Sequence, residues 1–130
     1  MKRVAIFIFS FLLSIGFCLS FVACNQEAKP VVITVSEEVS SETTLLFYMQ
    51  DLQENGNLSF TVQNGMVTEL NGVKNGTNSY WMLYTSDENS ANTAWGTYEY
   101  EGAILGSATL GASDLVVVAD AVYVWVYQTF

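Results

Sequence analysis

The chain has 130 residues, a formal net charge of −9, no histidine and two cysteines, Cys18 and Cys24. Beyond residue 24 the only basic side chains are Lys29 and Lys74, too few to hold nucleic-acid phosphates or a polybasic membrane contact. The absence of imidazole and of any later thiol removes the commonest general base, the cysteine nucleophile, His/Cys zinc sites and disulfides from the rest of the chain.

Lys2 and Arg3 form a short positive head, residues 4–23 carry no charge and are rich in Phe, Ile and Leu, and the run ends at Phe21-Val22-Ala23-Cys24. That is the pattern of a secretory signal with a lipobox-like end. A small Ala before Cys suits a lipoprotein signal peptidase, so residues 1–23 are expected to be removed and Cys24 to become the lipidated first residue. The domain would then sit at the extracytoplasmic face of the cell membrane, held by its lipid. An uncleaved anchor competes with this reading, but Ser10, Ser14, Gly16, Cys18 and Ser20 thin the hydrophobicity and no positive cluster follows. Cys18 is a poorer lipid site, because Phe17 before it is bulky.

Residues 24–30 read as a short lipidated tether and residues 31–130 as one domain. A β-branched run at 31–35 predicts a first strand. Ser41 as cap, Glu42 in the first turn, and Leu45, Leu46, Met49 and Leu52 at helical spacing predict the one helix, closed by Asn55-Gly56. Asn-Gly recurs at 64–65, 71–72 and 75–76, and the pair tolerates the positive φ of tight hairpins. Leu58, Phe60 and Val62 before Asn64-Gly65, and Met66, Thr68 and Leu70 after it, predict a hairpin.

Residues 80–84 are apolar on both faces and predict an inner strand. Residues 85–97 read as a long polar loop containing the isolated Trp95, of the kind that often carries function. Short strands follow at 98–100 and 103–105 about Gly102, then a small, irregular stretch at 106–112. Residues 115–118 predict another strand, 119–121 a type I turn, and 122–130 a central strand with apolar residues on both faces. The fold class is α+β: one helix packed on a mainly antiparallel sheet.

The order of one helix, Met66-Val67-Thr68-Glu69-Leu70-Asn71-Gly72-Val73, Ser79-Tyr80-Trp81-Met82-Leu83-Tyr84 and a closing Val122-Tyr123-Val124-Trp125-Val126-Tyr127 resembles the transcobalamin-like C-terminal domain over residues 31–130. The resemblance implies a β-grasp-like arrangement and a corrinoid (cobalamin) as ligand. In the animal cobalamin carriers the matching domain covers one face of the corrin and a helical domain the other. This chain has no such helical domain, so a corrinoid would be shared with a second surface or transporter protein. The longer 85–97 segment and Ala119-Asp120-Ala121 depart from the family pattern.

Tyr80, Trp81 and Trp95 are the candidate ligand-binding residues, since aromatic faces stack on flat ligands. Trp81 and Trp125 also read as core, whereas Trp95 stands among polar neighbours. Asp87, Glu88, Asn89 and Asn92 offer oxygen ligands for calcium without the spacing of an EF-hand loop, and read as solvated. No catalytic or metal site is expected, and no cofactor is required. The alternative function is a protein- or glycan-binding adhesion module.

Overall fold

The computed structural model describes residues 28–35 and 39–130; the signal segment, Cys24 and Glu37-Glu38 lie outside them. Among the described residues, two antiparallel sheets and one α-helix make up the fold. The strands are β1 (Val31–Thr34), β2 (Phe60–Gln63), β3 (Met66–Leu70), β4 (Val73–Lys74), β5 (Ser79–Thr85), β6 (Ala91–Tyr100), β7 (Ala103–Ala108) and β8 (Val122–Thr129), with helix α1 at Leu45–Glu54. The larger sheet has the order β1-β8-β5-β7-β6, and β2-β3-β4 form a small meander.

The closing strand is central, as its two apolar faces predict: β1 pairs with it along one edge and β5 along the other. Register places Ile33 beside Tyr123, and Leu83 and Val31 on either side of Trp125. These residues share the inner face with Trp81 and Tyr127, where they meet Leu45 and Met49 of α1, Leu70 of the meander and Leu115 and Val117 of the last connection. Val122, Val124 and Val126 face outward with Met82 and Tyr84. That second face is covered by the β6–β7 hairpin, which folds over it so that Leu105, Tyr98 and Tyr100 pack there. The rings of Tyr84 and Tyr98 lie 5.7 Å apart.

Helix α1 begins three residues later than predicted. Thr44, not Ser41, is its cap, and Thr44 Oγ1 accepts from Phe47 N at 3.2 Å. The N–H groups of Leu45 and Leu46 donate to Leu115 O at 2.7 Å and Ala112 O at 2.9 Å. Carbonyls from a distant segment therefore satisfy donors that a helix start leaves free, while Ser41 and Glu42 form a turn. At the other end Gly56 takes φ 80°, as the Asn-Gly pair predicts.

The Asn64-Gly65 hairpin forms, with φ 54° and 79° at its two turn residues. Four expectations fail. Residues 85–97 are not one loop: after a single 3-10 turn at Glu88–Ser90 the chain enters β6, with an irregularity of four residues between Asn92 and Thr97. That bulge breaks the period of two that would reveal a strand. It also rests on Gly106, where a Cβ would lie 3.0 Å from Ala91 Cβ and 3.3 Å from Thr93 N, so β7 continues through residues that read as irregular. Residues 115–118 form no regular strand and make only the isolated bridge Thr44↔Val116. Asp120 takes φ 68°, which a type I turn does not use.

Tyr123 secures that segment to the core: its Oη, on a fully buried ring, accepts from Val118 N at 3.1 Å. Burial pushes this phenol above its ordinary range and the nearby Asp87 charge adds to the effect, while the bond from Val118 opposes it.

Two measurements follow. Thr44→Ala should lower the unfolding free energy by about 1 kcal/mol in denaturant titration, whereas Ser41→Ala should leave it within about 0.5 kcal/mol. Because the Tyr123 phenol is raised in the fold, its contribution is complete below about pH 10 and lost as pH rises further. Alkaline unfolding should accordingly be shallower in Tyr123→Phe than in the parent.

Candidate functional site

Strand β7 pairs with β5 only through Tyr84↔Ser107 and Thr85↔Gly106. Below that point β7 leaves the sheet and the chain crosses through Thr109, Leu110 and Gly111, so the edge of β5 opens into a cleft of about 280 Å³. The β2–β3 turn supplies the opposite wall with Gly65, Met66 and Val67. Trp81, Leu83 and Trp125 contribute from the larger sheet. The space exists because Gly65, Ala108, Gly111 and Ala112, which line it, carry so little side chain. None of the lining residues is charged. Two of them, Met66 at 64% and Leu110 at 49% exposure, present apolar surface to solvent.

The wall around Trp81 is tied together by polar contacts. Trp81 N donates to Asn75 Oδ1 at 3.0 Å and Trp81 Nε1 to Val73 O at 2.8 Å. Asn75 Nδ2 donates in turn to Val67 O at 3.3 Å, and Tyr127 Oη to Lys74 O at 2.7 Å. The Trp81 and Tyr127 rings pack 5.2 Å apart. The meander is thus joined to the larger sheet through one amide, one indole and one phenol. Trp125 differs from Trp81 in that its Nε1 is buried without a hydrogen-bond partner, alone in this respect among the side chains of the described residues.

The three candidate aromatics are not brought together. Trp81 lines the cleft and is buried. Tyr80 points to the other face of β5, packs 6.0 Å from Phe130 and donates from its hydroxyl to Thr77 O. Trp95 sits in the β6 bulge, 65% exposed. Its neighbour Gly96 lies against Tyr84, where a Cβ would stand 3.7 Å from the phenol oxygen.

Two of the oxygen groups considered for calcium are engaged locally: Asp87 Oδ1 accepts from Asn89 N and Asn92 Oδ1 from Ala94 N. Among the described residues no group of three or more acidic side chains converges as a metal site.

Sequence reasoning missed Asn75, which stands in an Asn-Gly pair read as a turn but uses its side chain to join two walls. It also missed the 107–112 crossing, whose small residues read as irregular and in fact make the cleft. Comparison with known proteins finds no matching family model, no similar curated protein and no similar solved structure.

Asn75→Ala leaves both Trp81 N–H and Val67 O without their partner. It should cost about 1–3 kcal/mol, read as a lower midpoint in thermal or denaturant unfolding.

Proposed function

We propose that the chain is a surface lipoprotein, acylated at Cys24 and held at the extracytoplasmic face of the cell membrane, whose domain binds a ligand without transforming it. The uncharged cleft bordered by the indoles of Trp81 and Trp125 is the observation that carries this reading. An apolar concavity with a few polar groups is the usual form of a small-molecule site, and binding of this kind needs no titrating side chain. The absence of histidine from the whole sequence is in keeping with it.

The β-grasp-like, transcobalamin-like relationship belongs to the same proposal. The single helix packed across one face of the larger sheet and the buried aromatic closing strand support it. A corrinoid is the first ligand to try. The cleft lies just below the usual 300–1,000 Å³ of small-molecule pockets, so it would hold part of a corrinoid, the remainder being covered by a second surface or transporter protein.

A second reading, an adhesion module recognising protein or glycan, draws on one feature: Trp95 stands out on the β6 bulge, away from the cleft. An exposed aromatic of this kind suits an interface hot spot.

Residues 25–130, the unit beyond the proposed lipid site, include both sheets, the helix and both buried clusters. Absorbance-monitored titration of that unit with cobalamin and with cobinamide should give a saturable spectral change that Trp95→Ala leaves intact. Silence at high micromolar corrinoid would remove the corrinoid and favour the adhesion reading. In cells, Cys24→Ala should abolish lipid labelling and leave the precursor uncut; normal processing of that variant would refute the anchor.

A further inference from the structure

We infer that the cleft between the β2–β3 turn and the 107–112 crossing takes a short, extended, neutral peptide whose backbone pairs with Trp81 O and Leu83 N on the edge of β5 and whose apolar side chain enters beside the Trp125 ring. The inference rests on the reading of this cleft as a ligand site and names the ligand class that the site recognises.

The backbone of β5 leaves one bonding pair unused. Peptide groups along a strand point alternately to its two neighbours. Trp81 N turns away from β8 to reach Asn75 Oδ1, whereas Ser86 N donates to Val122 O of β8, so the N–H and C=O groups of Trp81, Leu83 and Thr85 all face the β7 side. The ladder to β7 ends at Tyr84↔Ser107, one residue short of the pair with Ala108 that would engage Leu83 N. In the other direction the edge is occupied again: Asn75 Oδ1 takes Trp81 N, and Ser79 O accepts from Gly76 N at 2.8 Å. Between these two stretches Trp81 O and Leu83 N have no strand partner, a gap one residue long at Met82.

The cleft runs past this gap. Trp81 and Leu83 belong to the inner face of the sheet and Met82 to the outer one, yet all three line the cleft. A space bordered by consecutive residues that point to opposite faces crosses the edge of their strand. Trp81 and Leu83 are buried, and backbone polar groups are costly to leave unbonded in such a position. Strand edges bind extended peptides by restoring the ladder. A segment centred opposite Met82 presents one N–H to Trp81 O and one C=O to Leu83 N whichever way it runs. The residue beside its centre turns its side chain to the inner face, among Val67, Leu83 and Trp125, where the exposed Met66 and Leu110 lose water as it enters. The lining has no charge to receive an ionic side chain, and a chain of net charge −9 repels an acidic peptide. The β2–β3 turn and the 107–112 crossing wall the gap on both sides, which shuts out a strand already built into another folded sheet and admits a free peptide segment.

Three matched peptides test this: acetyl-leucyl-alanyl-leucinamide and its two analogues N-methylated at the alanine or at the second leucine. One analogue lacks the donor for Trp81 O in a parallel peptide, the other in an antiparallel one. The full chain, labelled with ¹⁵N and held in detergent micelles, is titrated with each. The unmethylated peptide should saturate, move the Leu83 amide proton downfield and slow its exchange with solvent. At least one analogue should bind about tenfold more weakly, the discrimination of one hydrogen bond. Met66→Ala, which trims an exposed wall and leaves both buried clusters whole, should weaken the unmethylated peptide severalfold. Equal affinities for all three peptides, saturation without a Leu83 response, or no saturation would overturn the inference. Protection of the Leu83 amide that grows with protein concentration in the absence of peptide would assign the edge to a second copy of the chain and overturn it as well. A corrinoid response from a chain that ignores the peptides would overturn the inference while sparing the proposed function. Peptide discrimination without any corrinoid response would remove the corrinoid and leave the inference standing.

Discussion

The fold depends on burying a strand that is apolar on both sides. Strand β8 carries Tyr123, Trp125 and Tyr127 on one face and Val122, Val124 and Val126 on the other, and neither set tolerates water. One sheet face needs one cover, so this strand demands two. Helix α1, the meander and the 112–121 connection cover the inner face, and the β6–β7 hairpin turned over the sheet covers the outer one. Everything else about the architecture is a consequence of how a domain of this size supplies both covers without disulfides.

The division of labour also creates the cleft. Strand β7 stays with β5 for two residue pairs and then leaves, because the hairpin it belongs to must pass over the outer face while the chain after it must return to the inner one. The crossing at 107–112 makes that change of side. Small residues there permit the close passage, and the same smallness leaves room next to Trp81 and Trp125. The Trp125 donor, in the same apolar cluster, is buried without an acceptor. The polar stitches through Asn75, Trp81 and Tyr127 hold the meander at the distance that keeps the cleft open.

Stability and the proposed recognition would draw on those same residues. Trp81 is at once a wall of the cleft and the point at which two sheets are joined, so its role in the core and a role against a ligand are not alternatives. Trp95 is the opposite case. The bulge turns it to solvent and the fold gains little from it, which makes it the residue where a surface contact can be altered without disturbing either core.

Legibility in the sequence followed the range of the interaction concerned. Local periodicity revealed α1, the Asn64-Gly65 hairpin and the two-sided strands β5 and β8, because each is written in spacings of two or 3.6 and in turn residues that need positive φ. The lipobox-like end and the absence of imidazole are likewise fixed by residue identity alone. The start of α1 was misplaced because its free N–H groups are met by carbonyls of Leu115 and Ala112, distant in the chain. Strand β6 was hidden because a four-residue bulge erases alternation, and only its seating on Gly106 makes that bulge admissible. The cleft, the Asn75 bridge and the unmatched Trp125 donor were decided by tertiary structure entirely. They are properties of what lies opposite a residue once the covers close, and a linear order of side chains does not specify its own counterpart.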